Sequence, residues 1–248
     1  MAFPPFALDV IKKVLDDPSS TLRNLDRKIK VLSLGYPDIL AERKTLAPIF
    51  GQKFVDQLKI REDSESIINW HSLQDHLTEI PDSYQFFDLL GCELVVVDIV
   101  ESRGDEIILD LNEPMPEEYK GQFDMVVDSG TIEHCFNIAQ AIKNVAEMIN
   151  EGGYIVQGNP LSWYNHGFYN LNPTFYHDFY EANGFQVLWH VGVINSVLNP
   201  QTFDLPPYER FGNVPDNATN FLVVQRKSIQ DIVWPIQKKY QLNPELKK

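Results

Sequence analysis

The chain has 248 residues and an apolar fraction of 44%, enough for one globular domain with a buried core and short of two full domains. No stretch approaches the roughly 18 consecutive apolar residues of a membrane span, so a membrane partner is not expected. The formal net charge of −14 repels phosphate backbones, and the densest basic stretch, Arg23 to Lys30, is broken by Asp26; nucleic acid is therefore not an expected partner either.

The opening MAFPPFALDVIKKV lacks the basic-then-apolar order of a secretory leader. Cys92 and Cys135 form no CxxC or Cys/His cluster. The expectation is a cytoplasmic protein with two reduced thiols and no metal ligands.

In chain order, apolar residues at Phe6, Val10, Ile11, Val14 and Leu15 predict an amphipathic helix over 6–16, ended by Pro18. A β-branched run predicts a buried strand at Ile29–Leu34, followed by a sharp turn at Gly35. Residues of about 36–86 read as an insertion carrying one or two surface helices, with His71 and His76 at its surface, since a bare strand–helix–strand unit needs about half that length. Continuous apolar runs then predict strands at Leu94–Val97, closed by Asp98, and at Met125–Val127, closed by Asp128.

Ile138, Ala141, Ile142, Val145, Met148 and Ile149 mark one helical face, which Gly152-Gly153 is expected to cap. A strand at Tyr154–Val156 follows. Phe175, Tyr176, Phe179 and Tyr180 recur at the spacing of a core-facing helix, and two late strands are expected near Phe185–Ile194 and Phe221–Gln225. Between those strands, residues 196–220 are rich in Pro and Asn and read as an irregular lid or substrate loop. The alternation predicts an α/β fold with a doubly wound, mostly parallel sheet, one domain over 1–248 with a tail at about 228–248.

Ligands of open α/β sheets bind beyond the carboxyl ends of the strands, where the strand order reverses. Those ends carry Ser33-Leu34-Gly35, Asp98, and Asp128-Ser129-Gly130, with Leu109-Asp110-Leu111-Asn112 between the last two. A carboxylate at Asp98 can accept two hydrogen bonds from vicinal ribose hydroxyls, although a helix cap or a solvated strand-end aspartate would look the same in isolation.

Four ordered segments, VVVDIVE, ILDLNEPMP, FDMVVDSGTIEHC and EMINEGGYIVQGNP, together resemble the class I S-adenosylmethionine-dependent methyltransferases. The resemblance runs from Lys28 to Phe185 less the insertion. It implies a seven-stranded Rossmann-like sheet and S-adenosylmethionine as cofactor. By the same resemblance, Asp98 and Ile99 would hold the ribose, Asp110 the adenine amino group through its carboxylate, and Leu111 the adenine through its backbone. Asp128 would mark the floor of the site, and Ser129 is a further cofactor-binding candidate. The family's glycine-rich first motif is reduced in SLGYPDIL: Ser33 stands at its acidic position, Gly35 is the one glycine kept, and Pro37 and Ile39 replace the others. Asp38 is expected to take a polar role near the amino-acid part of the cofactor. The same turn lacks the GxGxxG needed by a nicotinamide-dependent oxidoreductase.

On the acceptor side, a base titrating near neutrality suits removal of a hydroxyl proton. His134, just past Asp128, and His166 are the catalytic candidates. Glu133, Trp163, Asn165 and Asn170 are the acceptor-binding candidates, because aromatic planes interleaved with amides suit hydroxylated or flat molecules. His177-Asp178 is set aside as a metal pair, since adjacent helical positions diverge by about 100°. The segment resembles small methyltransferases of surface-polysaccharide and related biosynthesis. Expected partners are thus a small-molecule acceptor, a carbohydrate among the candidates, with a homodimer left open. A non-catalytic scaffold that keeps the fold is the alternative.

Overall fold

Pro4 and Pro5 start the chain's first helix where a missing N–H costs nothing, and the expected elements follow from there in a computed structural model that describes residues 1–241. In order they are β1 (Ala2–Phe3), α1 (Pro5–Asp16), β2 (Ile29–Leu34), β3 (Asp38–Ile39), α2 (Arg43–Phe50), α3 (Gln52–Val55), α4 (Ser64–Trp70) and α5 (Ser83–Leu89). Then come β4 (Cys92–Asp98), β5 (Ile107–Ile108), β6 (Phe123–Asp128), α6 (Ile138–Met148), β7 (Ile149–Pro160) and α7 (Pro173–Ala182). β8 (Phe185–Ile194), β9 (Gln201–Asp204), β10 (Thr219–Arg226) and α8 (Lys238–Gln241) complete them. The expected tail at about 228–248 falls partly outside the described residues.

The main sheet has eight strands in the order β5-β4-β2-β6-β7-β10-β8-β9. The first five are parallel, β10 runs antiparallel between β7 and β8, and β9 is antiparallel on the outer edge of β8. From β2 the chain steps outward to β4 and β5, then returns across β2 to β6. The order therefore reverses at β2/β6, and a crevice opens at the carboxyl ends there.

Side chains alternate between two cores, one on each face of the sheet. Val31, Met125, Val127, Val156, Phe221 and Val223 meet Leu8 and Ile11 of α1 and Phe86 and Phe87 of α5. Leu32, Leu34, Val126, Ile155, Leu222 and Val224 meet Ala141, Ile142 and Val145 of α6 and Tyr176, Phe179 and Tyr180 of α7. Burial on both faces is why these strands read as unbroken apolar runs.

Four expectations need correction. The sheet has an eighth strand, β9, inside the Pro/Asn-rich segment expected to be irregular. It is accommodated because Gly192 of β8 has no side chain: a Cβ there would lie 2.2 Å from the Phe203 ring. Gly152-Gly153 does not cap α6, since the helix ends at Met148 and both glycines lie within β7. A Cβ on Gly153 would come within 2.8 Å of the Asp124 carbonyl oxygen, so glycine is needed for strand approach rather than for helix termination. The insertion is no surface appendage either: it holds four helices, buries Leu46, Val55, Phe86 and Phe87 against the main core, and has its own cluster of Leu40, Ile67, Ile68, Leu77 and Ile80. Finally, His71 is half-buried, with Nε2 3.0 Å from Asp38 Oδ2, whereas His76 is exposed as expected.

Candidate functional site

The carboxyl ends of β2 and β4, the turn after β5 and the turn after β6 enclose a crevice of about 280 Å³. It gathers Gly35, Asp98, Ile99, Asp110, Leu111 and His134. Gly35 has φ +81, a backbone region that disfavours a side chain. A Cβ there would lie 3.2 Å from Met1 Cβ and 3.5 Å from Asp98 Oδ2. Its N–H donates to the Val97 carbonyl at 2.6 Å, which draws the bare turn against the end of β4.

Asp98 Oδ1 accepts the Ile99 N–H at 2.7 Å, which leaves Oδ2 as the oxygen facing Gly35. Asp110 Oδ1 accepts from the Asn112 backbone N–H at 2.9 Å and from its side chain at 2.8 Å, an Asx-turn that orients the carboxylate. Leu111 is buried, and its carbonyl accepts from Asn144 Nδ2 at 3.0 Å, fastening the turn to α6.

Asp128 is fully buried beneath this crevice and does not line it. Its carboxylate accepts from Thr131 N–H at 2.9 Å, Gln157 Nε2 at 3.0 Å and Asn159 Nδ2 at 2.9 Å. Burial, and then the neighbouring Glu133, push its carboxyl well above the ordinary range. Ser129 is engaged with the N-terminal strand: its Oγ donates to the Ala2 carbonyl at 2.7 Å and its N–H faces Met1 Sδ at 3.0 Å. Asp38 lies next door, in a concavity of about 470 Å³ that shares Met1 and Asp98 with the crevice. Burial raises its carboxyl, but hydrogen bonds from His71 and Arg103 outweigh that and hold it below the ordinary range.

The second group sits at the lip. Glu133 is fully buried in the short turn after β6, and Asn159 Nδ2 donates to its Oε2 at 3.0 Å. The other oxygen, Oε1, has no hydrogen-bond partner among the described residues. His134 Nε2 is 3.8 Å from it and His166 Nε2 3.6 Å, and both imidazoles are half-exposed. The Glu133 carboxylate beside His166 raises that imidazole above its usual value. Trp163 packs against His166 at 5.4 Å between ring centroids, and Phe136 meets Phe168 edge-on at 5.3 Å, making an aromatic rim. Asn165 takes a left-handed turn at φ +59, and Asn170 Oδ1 accepts the Trp163 N–H at 2.9 Å.

The structure thus brings together His134, His166, Glu133, Trp163, Asn165 and Asn170 on one loop cluster, next to Gly35, Asp98, Ile99, Asp110 and Leu111. Sequence reasoning does not find Met1, whose side chain forms a wall of the crevice, or Thr131, whose Oγ1 donates to the Leu34 carbonyl at 2.6 Å. Met1 carries no motif signal, and Thr131 lies inside the FDMVVDSGTIEHC segment without being singled out by it; the small β1–β3 pairing places the first and the β6 turn the second. A larger groove of about 870 Å³ runs between α7 and the segment near Trp234. It lacks the strand-end carboxylates, so the crevice is the better candidate. Cys135 lines the crevice, but burial and nearby carboxylates push its thiol up to about 12, which makes it a poor nucleophile.

No protein-family model and no curated protein matches the chain. Among solved structures it is similar to TehB from Haemophilus influenzae, with 13% identity and a TM-score of 0.43, covering 87% of this chain and 62% of that one. It is also similar to the N-methyltransferase NodS from Bradyrhizobium japonicum WM9 in complex with S-adenosyl-L-homocysteine, with 13% identity and a TM-score of 0.43 over 91% of this chain and 89% of that one. A third is the 1,6-didemethyltoxoflavin-N1-methyltransferase of Burkholderia thailandensis, with 12% identity and a TM-score of 0.42 over 90% and 88%. The chain spans less than two thirds of TehB, and at these scores the likeness transfers no residue role.

Proposed function

We propose that the protein is an S-adenosylmethionine-dependent methyltransferase that methylates an oxygen of a small hydroxylated acceptor: a sugar, a sugar phosphate or a related metabolite. What supports this is the convergence of Gly35, Asp98, Ile99, Asp110 and Leu111 on one crevice at the strand-order reversal, with His134 on its lip. The donor set fits a nucleoside carrying an amino-acid chain. Gly35 offers bare backbone where a Cβ would crowd Asp98, Asp98 keeps one carboxylate oxygen toward the crevice, and Asp110 holds a second carboxylate within a fixed turn.

When bound, the cofactor supplies an electrophilic methyl group. The chain's own residues then bind, orient and shield. Asp98 accepts hydrogen bonds from vicinal hydroxyls, Asp110 accepts from an exocyclic amine, and Leu111 contributes apolar wall. The Trp163 ring and the Asn165 amide orient a hydroxylated acceptor at the lip, where its proton leaves on the His134–His166 side. Alignment within reach of the methyl group is the larger part of the work, because this displacement needs little else.

Calorimetry with S-adenosylmethionine and its demethylated product tests this. We expect both to bind, and Asp98→Ala to lose at least about tenfold in affinity, or about 1.4 kcal/mol. Absence of heat with either ligand at high protein concentration would overturn the cofactor assignment and leave the scaffold alternative. Incubation with labelled S-adenosylmethionine and a panel of sugars and sugar phosphates then tests the acceptor class.

A further inference from the structure

We propose that Glu133, His134 and His166 form a binding site for a divalent first-row transition-metal ion at the lip of the crevice. Each offers one ligand atom, and the three atoms lie within 4.8 Å of one another although His166 comes from a separate segment of the chain. The decisive feature is Glu133 Oε1. It belongs to a fully buried carboxylate, faces both imidazoles, and has no hydrogen-bond donor among the described residues. A buried carboxyl oxygen left without a partner forfeits the solvation it had in water, so the fold tolerates it only where something else compensates. The two imidazole nitrogens, at 3.8 and 3.6 Å, are too far to hydrogen-bond it. An ion about 2.1 Å from each ligand needs ligand atoms about 3.0–3.5 Å apart, so small side-chain rotations close the site.

The surroundings are built as a metal site's supports are. Asn159 Nδ2 holds the other Glu133 oxygen at 3.0 Å, and Tyr176 OH in turn donates to Asn159 Oδ1 at 2.6 Å, fixing the carboxylate plane. The loop bearing His166 is tied to Glu133 itself: Phe168 N–H donates to the Glu133 carbonyl at 2.9 Å. Gly167 makes that approach possible, since a Cβ there would lie 2.9 Å from Glu133 Cγ and from its carbonyl oxygen. Two imidazoles and one carboxylate suit first-row transition ions rather than calcium or magnesium, which favour all-oxygen sets. The half-exposed imidazoles leave positions open on the solvent side. If the methyltransferase reading holds, those positions face the acceptor, and the ion would grip one of its oxygens; the ion site itself stands independently of that reading.

Metal-free protein titrated with Co²⁺ tests the proposal, followed by calorimetry and by the visible absorption of the bound ion. The expected result is one equivalent bound with a spectrum of mixed nitrogen and oxygen ligation. His166→Ala, in a half-exposed loop that leaves the cores intact, and Glu133→Gln should each weaken binding at least about tenfold. His177→Ala, which breaks the unrelated His177–His190 pair, should leave it unchanged. No binding to the wild type, or equal binding by His166→Ala, overturns the proposal. Titration of the demethylated cofactor in parallel separates the two readings: that ligand binding without Co²⁺ removes only the metal site, and Co²⁺ binding without it removes only the cofactor assignment.

Discussion

At the scale of single residues, the chemistry rests on groups whose partners leave them one free face. Asp98 commits one oxygen to the Ile99 N–H and presents the other to Gly35. Asp128, which the sequence marks equally, has its carboxylate taken up by Thr131, Gln157 and Asn159. Identical residue types at neighbouring strand ends therefore divide into a ligand-facing and a scaffold-facing carboxylate. Gly35 makes the residue-level prediction. Gly35→Ala forces a left-handed backbone on a side chain and crowds Met1, so we expect a loss of about 1–2 kcal/mol in urea unfolding. We also expect the demethylated cofactor to bind at least about tenfold more weakly, as the added methyl narrows the crevice. An unchanged unfolding midpoint together with unchanged affinity would show that the surviving glycine has no special part.

At the scale of elements, α7 holds β7 and the β6 turn in register through buried polar contacts rather than by apolar packing alone. Tyr176 OH donates to Asn159 Oδ1 at 2.6 Å, Tyr180 OH donates to Gln157 Oε1, and the two amides donate to Asp128 and Glu133. The aromatic spacing in the sequence predicts the core face of this helix, and Tyr176, Phe179 and Tyr180 are buried there. What the spacing does not reveal is that both hydroxyls support the carboxylates under the site. Tyr176→Phe removes one donor and leaves a buried amide oxygen unpaired, for an expected loss of about 1–3 kcal/mol. Because Asn159 also positions Glu133, the same variant should weaken Co²⁺ binding while leaving the Asp98 end of the crevice intact. Urea unfolding and the Co²⁺ titration together check this, and a variant as stable as wild type would mean the hydroxyl is not needed.

At the scale of the whole molecule, stability should fall in acid, and one half-buried histidine makes that testable. His190 Nε2 lies 3.1 Å from Asn220 Oδ1 and its Nδ1 lies 3.0 Å from His177 Nε2. A neutral ring satisfies both by donating to Asn220 and accepting from His177, whereas a second proton would face a donor. Burial, and then His177, hold this imidazole down to about 4. The folded value lies below the unfolded one of about 6.5, so the unfolded chain binds the proton first. Stability from this site is fully present above about pH 6.5, declines as the pH falls, and is lost by about pH 4. Allowing for partial exposure, the loss is about 1–2 kcal/mol. His190→Gln should flatten the difference in unfolding free energy between pH 6.5 and 4 relative to wild type. Parallel slopes for the two proteins would contradict that.

The sequence by itself determines the strands β2, β4, β6, β7, β8 and β10, the helices α1, α6 and α7, and the carboxylates at the strand ends. Those signals are local: apolar runs and spacings survive in the chain because each strand is covered on both faces. It also names every residue of the His134–His166 cluster, though only as separate candidates. The tertiary structure alone decides three things. It folds the insertion into the core, because helices α2 to α5 bury residues too scattered for any period to show. It converts a Pro/Asn-rich segment into edge strand β9, because Gly192 opens space for Phe203. And it sets His166 beside a buried Glu133 oxygen that has no hydrogen-bond partner among the described residues, because backbone hydrogen bonds and Gly167 bring together two separate loops.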